Sequence, residues 1–516
     1  MKNRDLQATW AYHNGTKHSY ESIRTNRHYL DWENQPIPFK IYSQLEPIAL
    51  PQQLSSSGMT ALEAISTSEF STNDPVVPEI QTLAEILYLS AGITKRRSYP
   101  GGEILFRAAA CTGALYHIDL YLVCGELPGL NAGVYHFGPQ DFALRRLRNG
   151  DYRAVLIQAT GGELAMTTAP AIIVCASTYW RNAWKYQSRA YRHCYWDTGT
   201  ILANLLAAAV ARHMPARVVL GFVDDAVNRL LSLETARESS LVLVPLGNLP
   251  SQPAVSPPPV DYLTFDTKPL SKTEVDYPAI RAMHEVSSLE SEAEVIDWRH
   301  QPLVRVSGSQ TASQRERAIA LQLESDDPIP RDQLEDVIQR RGSTRQFSRE
   351  SISFKQLSIM LDRATRGVST DFARLDEPSL NDLYLIVHAV EDLAPGAYVF
   401  QRDSRALELL KEGDFRRQAG YLGLGQEIPA DCSVDVFLLT DLNQVLERWG
   451  NRGYRAAQLE ASIMGGKLYL AAYAQGLGAS GLTFFDDDVT DFFSPHAAGK
   501  SVMFLLAVGK SVRRRI

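Results

Sequence analysis

Long apolar runs are missing from this 516-residue chain: nowhere do eighteen apolar residues follow one another, so no membrane-spanning helix is expected. The opening stretch MKNRDLQATWAYHNGTKHS is polar and lacks the apolar core of a secretory signal. Basic charge is not in excess either. Lys and Arg total 52 against 59 Asp and Glu, a formal net charge of −7, which argues against a general nucleic-acid binder because such a protein needs a basic face. The five cysteines (Cys111, Cys124, Cys175, Cys194 and Cys432) form no CxxC pair and show no metal-ligand spacing, so a reducing, cytoplasmic setting is expected. Histidines are scattered and neither half gathers carboxylates, so no metal site is expected. The one GxGxxG run, Gly476-Leu477-Gly478-Ala479-Ser480-Gly481, follows a helical stretch and not a strand, so no fixed dinucleotide site of the Rossmann kind is expected.

What the chain does contain is itself, twice. DLYLVCGELPGLNAGVYHF around Tyr121 returns as DLYLIVHAVEDLAPGAYVF around Tyr384, 263 residues later. The same spacing carries Arg189-Ala-Tyr-Arg192 onto Arg452-Gly-Tyr-Arg455 and Phe222-Val-Asp-Asp225 onto Phe485-Asp-Asp-Asp488, and brings Gly247 within one residue of Gly509. Repeats of solenoids are about 20–50 residues long, so this is a duplicated domain. A fused pair commonly replaces a homodimer, whose interface is a natural ligand site.

The chain divides into an N-terminal extension (1–50), a first domain (51–250), a Pro-rich linker and strap (251–330) and a second domain (331–516). In the first domain, PEIQTLAEILYLSAG has helical spacing and ends at Gly92. HIDLYLVCG, AGVYHFG, PAIIVCAST and SSLVLVPLG read as strands. YWDTGTILANLLAAAVARHM is apolar nearly all round and reads as a buried helix, matched in the second half by AQLEASIMGGKLYLAAYAQG. The expected class is α+β, with mixed or antiparallel sheets flanked by helices and the two halves forming an intramolecular pseudo-dimer.

The densest chemical motif is Arg340-Arg341-Gly342-Ser343-Thr344-Arg345-Gln346-Phe347. Guanidinium forks match phosphate oxygens; a solvated basic turn is the plain alternative. Followed by SFKQLSIMLDRAT, this stretch resembles the start of the nitroreductase-like FMN flavoproteins, where it grips the flavin phosphate. YQSRAYR, NRGYRAAQLEAS, AQGLGASGLTFFDDDVTDFF and LLAVGK resemble the same family. YHNGTKHS, RAAACTGALYHIDLYLV and PGLNAGVYHFGP resemble its SagB-type, azoline-oxidising branch, although that branch usually has Pro at the position of Ala110 and often Ser at that of Cys111. Gly342 departs from the common Arg-Arg-Ser spacing.

The resemblance implies FMN at the interface between domains, and the halves keep complementary parts of that site. Arg340, Arg341, Ser343, Arg345, Gly478 and Ser480 come from the second half; Arg107, Cys111, Thr112 and Gly113 come from the first. Lys510 and Arg513 stand where the family has basic residues near the phosphate. The counterpart of the arginine motif in the first half, LEAISTSEF, has no arginine, and FARLDEPSLNDLYL lacks the Thr-Gly-Ala run. One FMN per chain is therefore expected. Lys185 and Tyr186 stand where azoline-oxidising relatives place a pair that handles the substrate proton; the matching Arg448-Trp449 offers no base. Asp197 and Glu460, which align with each other, are expected to pair with Arg192 and Arg455, and Asp486–Asp488 to cap a helix.

The resemblance implies an FMN-dependent oxidoreductase acting on a small molecule or a modified peptide, with NAD(P)H or O2 as electron partner; the pseudo-dimer within one chain removes the need for a second chain. The alternative is a flavin-free scaffold in a peptide-modifying complex, left by decay of a duplicated enzyme.

Overall fold

The computed structural model describes residues 2–67, 70, 72, 74–99, 102–250, 256–301, 318–323 and 329–512. The first half carries β1 (Pro47–Ala49), the hairpin β2 (Ile93–Tyr99) and β3 (Gly102–Arg107), then β4 (Ile118–Cys124), β5 (Gly133–Gly138), β6 (Ala143–Asn149), β7 (Ala171–Thr178) and β8 (Glu238–Leu246). The second half carries β9 (Ala318–Ala320), β10 (Asn381–Val387), β11 (Gly396–Gln401), β12 (Ala406–Glu412), β13 (Val434–Thr440), β14 (Gly478–Leu482) and β15 (Ser501–Gly509). One sheet runs β1-β6-β5-β4-β7-β8 and the other β9-β12-β11-β10-β13-β15-β14. Position for position the orders coincide, with β14 added at the far edge. Every pairing between these strands is antiparallel.

β4 is apolar without alternation because both its faces are covered. Ile118, Leu120, Leu122 and Cys124 belong to the main core, whereas Tyr121 and Val123 belong to a second cluster. That second cluster joins the same face of the neighbouring strands to the helices Arg153–Ala159 and Asp224–Leu231, with Val134, Ile172, Val174 and Leu243 among its strand members. The main core surrounds two long helices, Ala190–Ala211 and Arg452–Ala474, each starting some residues before the apolar stretch legible in sequence. They cross on small residues: a Cβ on Gly199 would overlap Ser462 Oγ, and one on Gly466 would lie 2.5 Å from the Ala203 Cβ. A mid-helix glycine costs about 1 kcal/mol relative to alanine; the close approach of two buried helices requires it here.

Ion pairs relate the halves reciprocally. Arg189 and Arg192 of the first half donate to Asp486 of the second at 2.9 and 2.6 Å. Arg452 and Arg455 of the second half donate to Asp224 of the first at 2.5 and 2.7 Å. This is the self-complementary pattern of a two-fold dimer interface, built within one chain. The flanking segments obey the same relation. His18 N donates to Asp486 at 2.8 Å, while Leu289 N donates to Asp224 at 3.0 Å. His13 O accepts from Arg192, and His284 O accepts from Arg455, each at 2.7 Å. The N-terminal helix Leu6–Gly15 and the linker helix Pro278–Val286 therefore do equivalent jobs, and the expected strap is two helices, broken before Glu292–Arg299. Asp486 does begin a helix, Asp486–Phe493, but its carboxylate is buried and serves the guanidiniums.

Candidate functional site

The helix Leu334–Arg340 stops at Arg341, whose backbone turns extended. The Arg341 side chain then crosses to the other half. Its Nε donates to the Ala108 carbonyl at 2.8 Å and its Nη2 to the Arg107 carbonyl at 2.9 Å. The guanidinium lies 5.8 Å from the ring centre of Tyr469 on the second long helix. The Tyr469 hydroxyl accepts from Gly481 N and sits 3.3 Å from Ser343 Oγ. Backbone bonds fix the rest of the segment: Thr344 N donates to Ala479 O at 2.8 Å, Ser348 N to Lys510 O at 2.9 Å, and Val512 N to Gln346 O at 3.1 Å. Arg345 is exposed and has no hydrogen bond or ion pair among the described residues.

Opposite stands the loop that follows β3. Arg107 is buried between the rings of Phe39 and Tyr116, 5.2 and 4.8 Å from their centres, and donates to the Pro38 carbonyl. Its Nε has no partner among the described residues. Burial first, and then the neighbouring Arg181, pull this guanidinium down to about 10. Asp197, on the first long helix, pins the loop: it accepts from Thr112 N at 2.9 Å, Thr112 Oγ1 at 2.7 Å and Cys111 Sγ at 2.9 Å. His117 Nε2 lies 2.9 Å from the same carboxylate, with Nδ1 2.8 Å from Ser177 Oγ. The expected pairing of Asp197 with Arg192 is therefore corrected; Arg192 is already taken by Asp486. Glu460 likewise serves Leu380 N and Asn381 rather than Arg455. Burial first, then the Asp197 charge, push the Cys111 thiol well up, so it stays protonated and donates.

Gly113 has φ 64°, and a Cβ there would lie 3.0 Å from the Tyr186 hydroxyl, so both conformation and space call for glycine. Tyr186 ends the helix Tyr179–Tyr186, edge-on to His193 with centroids 4.5 Å apart, and Lys185 Nζ is 5.3 Å from its ring centre. Burial, and then the charge of Arg345, depress the Lys185 ammonium below its ordinary value. Burial chiefly raises the Tyr186 phenol, whose proton is thus retained. The charge of Arg345 in the second half thus acts on Lys185 and Tyr186 of the first.

Arg341, Ser343, Arg345, Arg107, Cys111, Thr112, Gly113, Lys185 and Tyr186 are brought to this seam between halves. Four other residues lie off it. Arg340 is exposed, bonded to Asp332 and, at 2.6 Å, to the Tyr473 carbonyl. Gly478 packs beneath Thr344 and Ser511. Ser480 pairs with Ala507 and shares its sheet face, whereas its neighbour Gly481 meets Tyr469. Lys510 lies 3.6 Å from Glu350. Arg513 falls outside the described residues. A cleft of about 520 Å³ adjoins the seam, bounded by Tyr88, Ile93, Arg96, Gln140, Phe142 and, from the second half, Gln339.

Tyr469, Tyr473, Tyr116 and Phe39 were not singled out from sequence. The repeat spacing carries a signal for two of them, since Tyr469 and Tyr473 align with Leu206 and Val210. The opposite seam is filled by its own residues. Arg448 stacks 3.9 Å from the ring centre of Trp449 and pairs with Glu377 at 3.3 Å. Asp371 accepts from Leu220 N and Gly221 N at 2.8 Å each.

Residues 81–248 and 338–510 each match the model of the Nitroreductase family. A candidate nitroreductase of Methanocaldococcus jannaschii is 23% identical over 168 residues, 33% of this chain and 80% of that protein. The microcin B17-processing protein McbC of Escherichia coli is 26% identical over 160 residues, 30% of this chain and 55% of McbC. The crystal structure of a candidate nitroreductase from Anabaena variabilis superposes with a TM-score of 0.75 at 25% identity, covering 98% of this chain and 99% of that one. With both halves matched and the whole duplicated architecture shared, the chain belongs to the nitroreductase family as a tandem pair of nitroreductase domains.

Proposed function

We propose that the protein is an FMN-dependent oxidoreductase of the SagB type, with one composite flavin site per chain at the Arg341 seam. The observation that carries this is the Arg341 bridge onto the carbonyls of Arg107 and Ala108, which ties the arginine segment of one half to the Cys111–Gly113 loop of the other. The donor set suits a flavin phosphate: Arg345 is unengaged among the described residues, Arg107 Nε is buried without a partner there, and Ser343 lies at the surface beside Tyr469. Gly113 leaves backbone N–H groups approachable by a flat ring. When bound, FMN supplies hydride acceptance and donation at N5.

The residues of the chain supply position and proton handling. Asp197 fixes the loop, so that Thr112 and Gly113 face the seam in one conformation. Lys185, held below its ordinary value by burial and by Arg345, gives up its proton more readily than a free lysine and would take a carbon-bound proton as hydride leaves the substrate. Tyr186 keeps its proton and offers a hydrogen bond beside it. The likeness to McbC favours a thiazoline or oxazoline in a modified peptide, with O2 as terminal acceptor and a peptide-modifying complex as the setting; a nitro compound or quinone with NAD(P)H is the other substrate pair.

The test is the visible spectrum of the purified chain with its flavin-to-chain ratio after denaturation. One FMN per chain, lost or weakened in Arg341→Ala, is expected. Two per chain would refute the single composite site. None, even after addition of FMN, would refute the enzyme and leave the scaffold.

A further inference from the structure

Away from the seam, at the near end of β13, His388, Cys432 and Asp435 converge in the interior. Their ligand atoms all lie within 4.8 Å of one another. His388 Nε2 is 3.0 Å from Asp435 Oδ2, and both side chains are 0% exposed. Cys432 is 0% exposed as well. Two polar atoms of the cluster, His388 Nδ1 and Asp435 Oδ1, are buried with no hydrogen-bond partner among the described residues. Buried polar atoms are ordinarily partnered.

The duplication shows that the fold does not need them. β13 pairs with β10 as β7 pairs with β4: Asp435 stands opposite Ile386 as Ile172 stands opposite Val123. Arg416 donates to the Cys432 carbonyl at 3.1 Å as Arg153 donates to that of Ala169 at 3.0 Å. In the first half the three places are therefore held by Gly125, Ala169 and Ile172. The same backbone is stable there with small and apolar side chains, and the second half has replaced all three with metal-ligand types.

We propose that His388, Cys432 and Asp435 form a structural zinc site. Nitrogen, sulfur and oxygen donors in one small volume are the donor set of tetrahedral zinc. Ligand atoms around such an ion stand about 3.3–3.8 Å apart, from bonds of about 2.0–2.3 Å, so the His388–Asp435 pair at 3.0 Å would open and wider pairs within the 4.8 Å cluster would close. A thiolate and a carboxylate balance the divalent charge, leaving a buried centre with no net charge. Binding expels the thiol proton to solvent; the proton shared by His388 Nε2 and Asp435 moves to His388 Nδ1, which frees the nitrogen and the carboxylate to bind the metal. The Pro429 carbonyl, 3.2 Å from Cys432 Sγ, is placed for the fourth position. The backbone is held ready: His388 N and Ala389 N both donate to the Ser433 carbonyl, at 2.9 and 3.0 Å. Cys432 packs with Phe347 and Ala507, so the ion would brace the segment that ends the arginine motif. Sequence spacing hides the site because the histidine arrives from a neighbouring strand.

The test uses the full-length chain, treated with a chelator and then titrated with Zn²⁺ or, as a spectroscopic probe, Co²⁺. One metal per chain is expected, with a thiolate-to-cobalt charge-transfer band and a higher melting temperature on loading. Cys432→Ala, which installs the residue of the equivalent place, should lose the band and fall to background metal content; His388→Gln should do the same, while Cys111→Ala keeps both. No metal uptake by the wild type, or undiminished uptake by folded Cys432→Ala, would overturn the proposal and leave a hydrogen-bonded polar triad. Flavin content is read separately on the same samples, so failure here is distinct from failure of the flavin site.

Discussion

Replacing Asp224 by Asn tests the interface on which the proposed composite site depends. The Asp224 carboxylate accepts from Arg452, Arg455 and Leu289 N, and both guanidiniums are fully buried. Asparagine keeps the shape but removes the charge, leaving two buried cations with no counter-ion beside them. Breaking a buried pair from one side costs about 3–5 kcal/mol, a large share of a total stability of about 5–15 kcal/mol. The carboxyl gives a second handle. Burial raises it, but Arg452, Arg455 and His284 outweigh burial and hold it down, to about 2 from 3.8. A depressed folded value stabilises the fold fully above the unfolded value near pH 4, and that contribution drains away as pH falls through 2. The shift is worth about 2 kcal/mol. Urea unfolding followed by the fluorescence of the buried Trp196, Trp298 and Trp449 reads both effects. Asp486→Asn should match Asp224→Asn, because Asp486 faces Arg189 and Arg192 in the reciprocal pair. A folded Asp224→Asn within about 0.5 kcal/mol of wild type, the range of ordinary surface changes, would refute an interface held by these charges. So would two variants with sharply unequal losses.

Arg341→Ala removes two charge-assisted bonds to the Arg107 and Ala108 carbonyls, and at about 1.5–3 kcal/mol each should weaken flavin retention at least tenfold in equilibrium dialysis. Lys185→Met should lower kcat by about 10²–10⁴ while leaving the flavin spectrum and content unchanged. Arg345→Ala, assayed at saturating flavin, should move the alkaline rise of the pH–rate profile upward, because the cation that disfavours the Lys185 ammonium is gone. Gly113→Ala forces a left-handed φ on a side chain whose Cβ meets the Tyr186 hydroxyl; a cost of about 1–2 kcal/mol should appear as lost activity, with urea unfolding little changed.

Much of the architecture was legible because the strands of a covered sheet are written as continuous apolar runs. HIDLYLVCG and PAIIVCAST became β4 and β7, and PEIQTLAEILYLSAG became a helix ending at Ala91, with Gly92 as its cap. The hairpin β2–β3 and strand β6 were not read, since ITKRRSYPGGEILFR and ALRRLRN carry charge that breaks the apolar pattern, while their backbones still pair, each with one register shift. Chain order alone suggested that Arg341 and the Cys111–Gly113 loop belong together, but not that the contact runs through carbonyls. Asp197 and Arg192 are close in sequence, but a separation of five residues turns them apart on the helix; Arg192 reaches across the pseudo-dimer to Asp486 and Asp197 is left for the loop.

The asymmetry between the seams follows from fusing the two copies. In a true homodimer one substitution strikes both sites, so neither can be spared. In this chain the halves change independently, and the long helices record it: Tyr469 and Tyr473 back the Arg341 seam, while Leu206 and Val210 occupy the matching turns of the other helix. The second seam has not been left open, which would expose apolar surface. The place matching Lys185 is held by the Arg448–Glu377 pair and the loop place by Asp371 on two backbone N–H groups. Lys467, buried there and bonded to the Gly367 carbonyl at 2.7 Å, is drawn by burial, and then by the Arg402 charge, to about 7. An amine so easily neutralised repels no apolar neighbour. Its seam is bounded by Ala64, Ile65, Leu206, Val210 and Val368, a lining suited to packing and not to phosphate. The reciprocal ion pairs, which hold both seams at once, are what the fusion has kept symmetric.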